Sequence, residues 1–322
     1  MTAPIVTVLH GGDLPGNMTD IEALAEVRTA EAADLADSLR GADVLLAWDF
    51  LTPALGPAWA AADRLRWVHT ASAGVDNVLT PEVAASDVLL TNSRGVFEAP
   101  IAEYVTGLVL MRAKDMLGTW HWQQRAEWQH RDTHSVQGRL AVIVGVGPIG
   151  RAVARMLAAV GLRVRGVGRT RRSGDPDFGE VAAADELGAM VADAHYVVLA
   201  APLTEQTRGM VDRSVLAAMA PWARLVNVAR GELVVESDLV RALRAGEIAG
   251  ADLDVFEEEP LPADSPLWSM PEVFVSPHMS GDTVGWRGAL ADLFVDNLRR
   301  WCAGETLRNV VDKQLGYVPS ST

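Results

Sequence analysis

The stretch Leu140 to Gly150, Leu-Ala-Val-Ile-Val-Gly-Val-Gly-Pro-Ile-Gly, constrains this chain more than any other. An apolar run of strand length leads into Gly145-Val146-Gly147-Pro148-Ile149-Gly150. A helix-like segment follows and is closed by Gly161, after which Leu162 to Val167 reads as a second short strand. Strand, glycine-rich turn, helix and strand, in that order, form the context in which such glycines acquire a meaning. Gly145 permits the tight turn, Gly147 leaves room for a pyrophosphate, and Gly150 lets the helix pack close to the strand. The N–H groups and dipole at the start of that helix suit a phosphate. An ordinary α/β domain also uses glycine-rich turns, but in this frame dinucleotide binding is favoured.

The chain has 322 residues, enough for two domains with cores of their own, and 49% of them are hydrophobic, as in globular proteins. The formal net charge of -14 argues against non-specific nucleic-acid binding, which needs a basic surface. An anionic small substrate therefore needs a locally positive pocket in an acidic protein. The single cysteine, Cys302, excludes a disulfide framework within one chain and a cysteine-rich metal site, and beside Trp301 it reads as a packed thiol. The first residues show neither a basic segment nor a long apolar one, so no signal peptide is expected. No apolar run approaches the roughly 20 residues that span a bilayer. A cytoplasmic protein without membrane contact is the expectation.

The opening section alternates strand and helix. Ile5–Leu9, Val44–Trp48, Leu65–Thr70 and Val88–Thr91 read as strands, and Ile21 to Ser38 reads as an alanine-rich helical segment. Ser72-Ala73-Gly74-Val75-Asp76 follows one strand end, where open α/β sheets bind ligands, although a plain strand-to-helix turn fits equally well. Pro100 marks a helix start, and Ile101 to Leu117 carries a mostly apolar face. Trp120 to Gln137 changes character and reads as a crossing between domains. His130 and His134, four apart, suit one helical face, but no third metal ligand is evident, so no metal is expected. From Leu140 to about His278 six further strands alternate with helices, ending with Val273–Val275. The fold class is α/β, with two doubly wound domains of similar kind.

Two features bear on chemistry. Where the acid that binds the adenosine ribose is expected, after the second strand, stands Gly168 followed by Arg169-Thr170-Arg171-Arg172. A carboxylate there repels a 2′-phosphate and a guanidinium pairs with it, so NADP(H) is preferred to NAD(H). Arg169 and Arg172 are the first choices as phosphate ligands, with Thr170 adding a hydroxyl. Further on, Asn227-Val228-Ala229-Arg230-Gly231, Asp254-Val255-Phe256-Glu257-Glu258-Glu259-Pro260 and Ser276-Pro277-His278 each lie at or soon after a strand end. Arginine holds a carboxylate and polarises a carbonyl. Histidine moves a proton near neutral pH, and glutamate orients the imidazole.

These segments resemble the D-isomer-specific 2-hydroxyacid dehydrogenase family. Ser72 to Asp76, Ala102-Glu103, Pro202-Leu203-Thr204 and Leu307-Arg308-Asn309-Val310-Val311 extend the likeness from about Val44 to Val311. The resemblance implies two Rossmann-like domains with an active site in the cleft between them. The substrate-binding domain, 1–100 plus 286–322, is discontinuous, and the dinucleotide-binding domain is 101–285. It implies that Arg230 binds the 2-oxo acid's carboxylate and carbonyl oxygen, that His278 donates the proton, and that Glu259 pairs with His278. It further implies that the N–H groups of Ala73, Gly74 and Val75 grip the carboxylate. Gly145, Gly147, Pro148, Ile149, Gly150, Pro202, Val228, Ala229, His278 and Gly281 line the cofactor, and Asp254 binds its carboxamide. The arginine loop is similar to that of NADPH-preferring glyoxylate and hydroxypyruvate reductases, and Trp128 lies where some of them bring a tryptophan to the partner subunit. A homodimer through the cofactor domains is implied. The alternatives are another substrate in the same family, phosphite or phosphoglycerate, and a dinucleotide-sensing regulator on the same scaffold.

Overall fold

The computed structural model describes residues 3–319. The chain divides into two compact units, Met1–Phe97 with Thr283–Thr322, and Glu98–Asp282.

In the first unit, β1 (Ile5–Leu9), β2 (Glu26–Ala30), β3 (Val44–Ala47), β4 (Trp67–Thr70) and β5 (Leu89–Thr91) form a parallel sheet in the order β2-β1-β3-β4-β5. β3 and β4 are buried along their whole length, as strands covered on both faces must be. The helix Trp286–Ala303 returns to this unit and buries Leu290, Phe294 and Leu298. Trp67 of β4 stacks on Phe294 with centroids 5.4 Å apart and on Trp301 at 5.5 Å. The tail then pairs with the sheet edge through the Val311 N–H to the Leu90 carbonyl, 2.8 Å.

One expectation fails here. Ile21 to Ser38 is not a continuous helical segment. A short helix, Met18–Glu22, stops, β2 follows, and helix resumes at Leu35–Leu39. The alanines carry helical spacing, but Val27 and Thr29 are β-branched, and β1 offers an open edge with which the whole of β2 pairs in parallel.

In the second unit, β6 (Leu140–Val144), β7 (Arg163–Gly168), β8 (Arg172–Asp175), β9 (Gly179–Ala183), β10 (Tyr196–Leu199), β11 (Arg224–Asn227), β12 (Gly250–Leu253) and β13 (Val273–Val275) form one sheet. The order is β13-β12-β11-β10-β6-β7-β9-β8, parallel except at β8. Six strands are legible in the sequence and two are not. β8 and β9 hold few strand-forming residues, and their pairing supplies what their composition does not. The order reverses between β6 and β10, the switch point at which doubly wound sheets bind ligands.

The helix Pro148–Ala159 follows β6. It buries Gly150, Val153, Ala154 and Leu157, a stripe at helical spacing. The apolar helix expected over 101–117 spans Glu98–Ala113 and is followed by Met116–Gln124, with Asp115 between them in the left-handed region. His130 and His134 are not on a helix. That part of the chain is irregular and is held by Arg131, which lies over the Trp122 ring and donates to Asp115 at 2.7 Å. Among the described residues no group of three acidic, histidine or cysteine side chains is placed to hold a metal, and no helix is long and apolar enough to cross a membrane.

Candidate active site

The glycine-rich turn is fixed by contact distances. Gly145 has φ +104°, and a Cβ there would lie 2.5 Å from the backbone of Ala200 and Ala201 at the end of β10. A Cβ on Gly150 would lie 1.8 Å from the Gly145 carbonyl oxygen. Neither position tolerates a side chain. Gly147 differs, because nothing stands within 4 Å of its missing Cβ. That open space lies at the N-cap of the helix Pro148–Ala159, where no side chain satisfies the first N–H groups. Open space beside free helical donors is what a pyrophosphate needs, so these residues fit a dinucleotide.

Past β7, Arg169, Thr170, Arg171 and Arg172 are all exposed. Arg171 pairs with Glu186, and Arg172 donates to Asp175 at 2.9 Å. Asp175 also accepts from Arg151 at 2.7 Å. The Arg151 hydrogen bond, joined by that of Arg172, holds the buried Asp175 carboxyl well below the usual carboxylate range against the effect of burial. An acidic residue does therefore stand near this loop, but two arginines neutralise it. No local sequence signal pairs Asp175 with Arg151, 24 residues earlier.

Arg230, Glu259 and His278 lie on three loops that follow β11, β12 and β13. Asn227, fully buried at the end of β11, shapes the first loop. Its side chain donates to the Arg230 carbonyl at 2.8 Å and accepts from the Ala229 N–H at 3.1 Å. Val228 is buried beside it. Gly231 admits no side chain, because a Cβ there would lie 1.8 Å from the Phe256 carbonyl carbon. The arginine loop therefore packs directly against the loop that carries Glu259. The Glu259 carboxylate accepts from His278 Nδ1 at 2.7 Å and from the Phe256 N–H at 2.9 Å. Burial raises its pKa, but the His278 hydrogen bond and charge, the Phe256 N–H and the nearby Arg230 charge together bring it below the ordinary value.

His278 sits in the left-handed region with φ 51°, a costly place for a non-glycine residue that surrounding contacts must enforce. Those contacts converge on Asp254. Its carbonyl accepts from the His278 N–H at 2.8 Å. Its buried carboxylate accepts from Ser276 Oγ at 2.6 Å, from the Met279 N–H at 3.0 Å and from the Ser280 N–H at 2.8 Å. The family resemblance assigns Asp254 to the cofactor's carboxamide; in the structure three bonds also tie its side chain to the histidine loop, which it anchors. Gly281, buried, follows at the loop's end. Asn227, Gly231, Ser276 and Ser280 were not singled out as site residues, because each acts only on backbone that the fold brings near.

Pro202 follows β10, and its carbonyl accepts from Thr207 Oγ1 at 2.7 Å, which closes a turn. In the first unit, the segment after β4 is held by neutral bonds. Ser72 Oγ donates to the Gly74 carbonyl at 2.7 Å, and Asn92 Nδ2 donates to the Ala73 carbonyl at 2.6 Å. Among the described residues, the N–H groups of Ala73, Gly74 and Val75 donate to no protein acceptor.

Comparison with known proteins supplies independent findings. The family described as D-isomer specific 2-hydroxyacid dehydrogenase, NAD binding domain, matches residues 106–280. The chain is 32% identical over 318 residues to a glyoxylate reductase of Thermococcus gammatolerans, covering 95% of this chain and 93% of that one. A D-isomer specific 2-hydroxyacid dehydrogenase of Xanthobacter autotrophicus, solved with NADPH and MES, is 31% identical with a TM-score of 0.81, over 98% of this chain and 100% of that one. An NADPH-dependent glyoxylate/hydroxypyruvate reductase of Sinorhizobium meliloti, solved with NADP and malonate, is 29% identical with a TM-score of 0.85, over the whole of both chains.

Proposed function

The chain belongs to the D-isomer specific 2-hydroxyacid dehydrogenase family, enzymes that use NAD(P)H to reduce small 2-oxo acids to D-2-hydroxy acids, and on that premise we propose that it reduces glyoxylate or hydroxypyruvate with NADPH as the preferred donor. The observation that carries the proposal is the 2.7 Å bond between His278 and Glu259, with Arg230 close enough for its charge to act on Glu259.

The roles follow from the chemistry of each group. The Arg230 guanidinium pairs with the substrate carboxylate and polarises the carbonyl, stabilising the developing alkoxide. His278 holds a proton at Nε2 and delivers it to that oxygen. Glu259, bonded to Nδ1, fixes the ring's orientation and balances its positive charge. The N–H groups of Ala73, Gly74 and Val75 receive the carboxylate. Gly145, Gly147, Pro148, Ile149 and Gly150 would hold the dinucleotide's phosphates, while Pro202, Val228, Ala229 and Gly281 would line its nicotinamide half. The bound dihydronicotinamide supplies the hydride. Arg169 and Thr170 would hold the 2′-phosphate, and Arg172 would join through donors that Asp175 does not engage. The enzyme works in the cytoplasm as a homodimer. The exposed Trp120 and Trp128, the latter 97% accessible, support a contact through the segment that bears them.

The test is NADPH oxidation, followed optically, over a panel of 2-oxo acids with NADH in parallel. Fast turnover of glyoxylate or hydroxypyruvate with NADPH and little with NADH is expected. Turnover with NADH alone would overturn the cofactor preference and leave the catalytic set standing. Cofactor binding without turnover of any acid would favour a sensor.

A further inference from the structure

The tail of the chain reaches the Ser72–Asp76 loop through two asparagines that the catalytic reading does not use. Asn309 lies in the left-handed region, φ 57°, which asparagine tolerates better than most residues. Both donors of its side-chain amide are engaged, to the Arg94 carbonyl at 2.7 Å and to the Asn92 carbonyl at 3.2 Å. In return the Asn92 N–H donates to the Asn309 carbonyl at 3.3 Å. The Asn92 side chain then bridges onward. Its Oδ1 accepts from the Arg94 N–H at 3.2 Å, and its Nδ2 donates to the Ala73 carbonyl at 2.6 Å. Donor and acceptor roles at both ends agree, which fixes the orientation of the amide.

The consequence follows from peptide geometry. In a planar trans peptide the carbonyl and the N–H point in opposite directions. Holding the Ala73 carbonyl toward Asn92 therefore aims the Gly74 N–H the other way. Ser72 does the same for the next peptide, since its hydroxyl holds the Gly74 carbonyl and so aims the Val75 N–H. Backbone donors aimed in advance lose little entropy when an anion arrives.

We propose that Asn309 and Asn92 are positioning residues acting in series, the tail fixing Asn92 and Asn92 aiming the Ala73–Gly74 peptide at the substrate carboxylate. The inference rests on the reading of Ala73 to Val75 as the carboxylate-binding loop.

Two substitutions in the full-length enzyme test it. Asn309→Gly keeps the left-handed backbone and removes the amide. Asn92→Asp keeps the acceptor for Arg94 and removes the donor to Ala73. For both, the backbone order of the Gly74 and Val75 amides, read by NMR relaxation, should fall, and the KM for glyoxylate should rise about tenfold, the effect of one lost hydrogen bond. The kcat should change less than KM, and NADPH affinity, measured by fluorescence titration, should not change. Unaltered order at Gly74 and Val75 would overturn the relay. Lower order there with an unaltered KM would overturn its link to the carboxylate. Lower order throughout β1 to β5 would reduce both residues to a general structural role and overturn the proposal. Failure of the underlying functional reading is distinguishable, because the unsubstituted enzyme would then turn over no 2-oxo acid.

Discussion

The Ser72–Asp76 loop and the Arg230–Glu259–His278 cluster both stand at the carboxyl ends of parallel strands, but they are held by opposite means. Hydroxyls, side-chain amides and backbone groups hold the loop: Thr70, Ser72, Asn92 and Ser93 bond to it or to one another, and none of them titrates near neutral pH. Carboxylates hold the cluster: Glu259 bonds to His278, and Asp254 accepts from the Met279 and Ser280 N–H groups of the same loop. A network of hydroxyls and amides fixes direction and keeps its geometry as long as the buried His69 beside it stays neutral. A charged one can exchange a proton, and its geometry depends on its charge state. On the proposed roles, positioning and proton transfer fall to different regions of the molecule.

Experiments on His278, Glu259, Arg169 and His69 would break or sharpen this contrast. The largest effect is expected at His278. His278→Gln should lower turnover roughly 10²–10⁴-fold, the usual worth of a placed acid, with NADPH binding nearly intact. Glu259→Gln should cost less, because it leaves the proton donor in place. Equal loss of turnover and cofactor binding in His278→Gln would mean that the residue is structural. The cofactor loop comes next. Arg169→Asp should weaken NADPH binding about tenfold or more, since it replaces a partner of the phosphate with a like charge, and should affect NADH much less. Equal effects on both cofactors would sink the assignment of Arg169 to the 2′-phosphate.

The effect that is smallest near neutral pH, and grows as the pH falls, concerns His69, which packs among the hydroxyls of the first region. It is fully buried, with Nδ1 2.7 Å from Thr91 Oγ1, and burial pushes its pKa down from 6.5 to about 3. A folded pKa below the unfolded one means that the unfolded chain binds the extra proton first. Stability should be fully present above pH 6.5 and should fall by about 1.4 kcal/mol per unit as the pH drops from there toward 3. Chemical denaturation across that range should show the slope, and His69→Asn should flatten it while lowering stability at neutral pH. A flat profile in the unsubstituted protein would show that His69 finds water or a counter-charge on folding.

Much of the site was legible because its residues act through their own backbone or along one short segment. The Gly145–Gly150 turn is such a case, since steric exclusion at two glycines and open space at the third are local properties. The order of Arg230, Glu259 and His278 after successive strands was legible for the same reason. What was not legible depends on partners far away in the chain. Arg151 and Arg172 neutralise Asp175, which alters the reading of the arginine loop. The Asp254 carboxylate turns toward Met279 and Ser280. Asn92 and Asn309, 217 residues apart, meet because the tail returns to β5.

By itself the sequence determined the alternation of strand and helix, the glycine-rich turn, and residue types able to bind a carboxylate and move a proton. Apolar period, glycine at crowded turns and side-chain acidity are written residue by residue. Only the tertiary structure decided where β2, β8 and β9 form, because each exists through its pairing with a neighbour. It also decided which charges neutralise one another and which backbone groups are aimed. Hydrogen bonds and ion pairs act over a few ångströms of space, and only the folded chain brings those residues within that range.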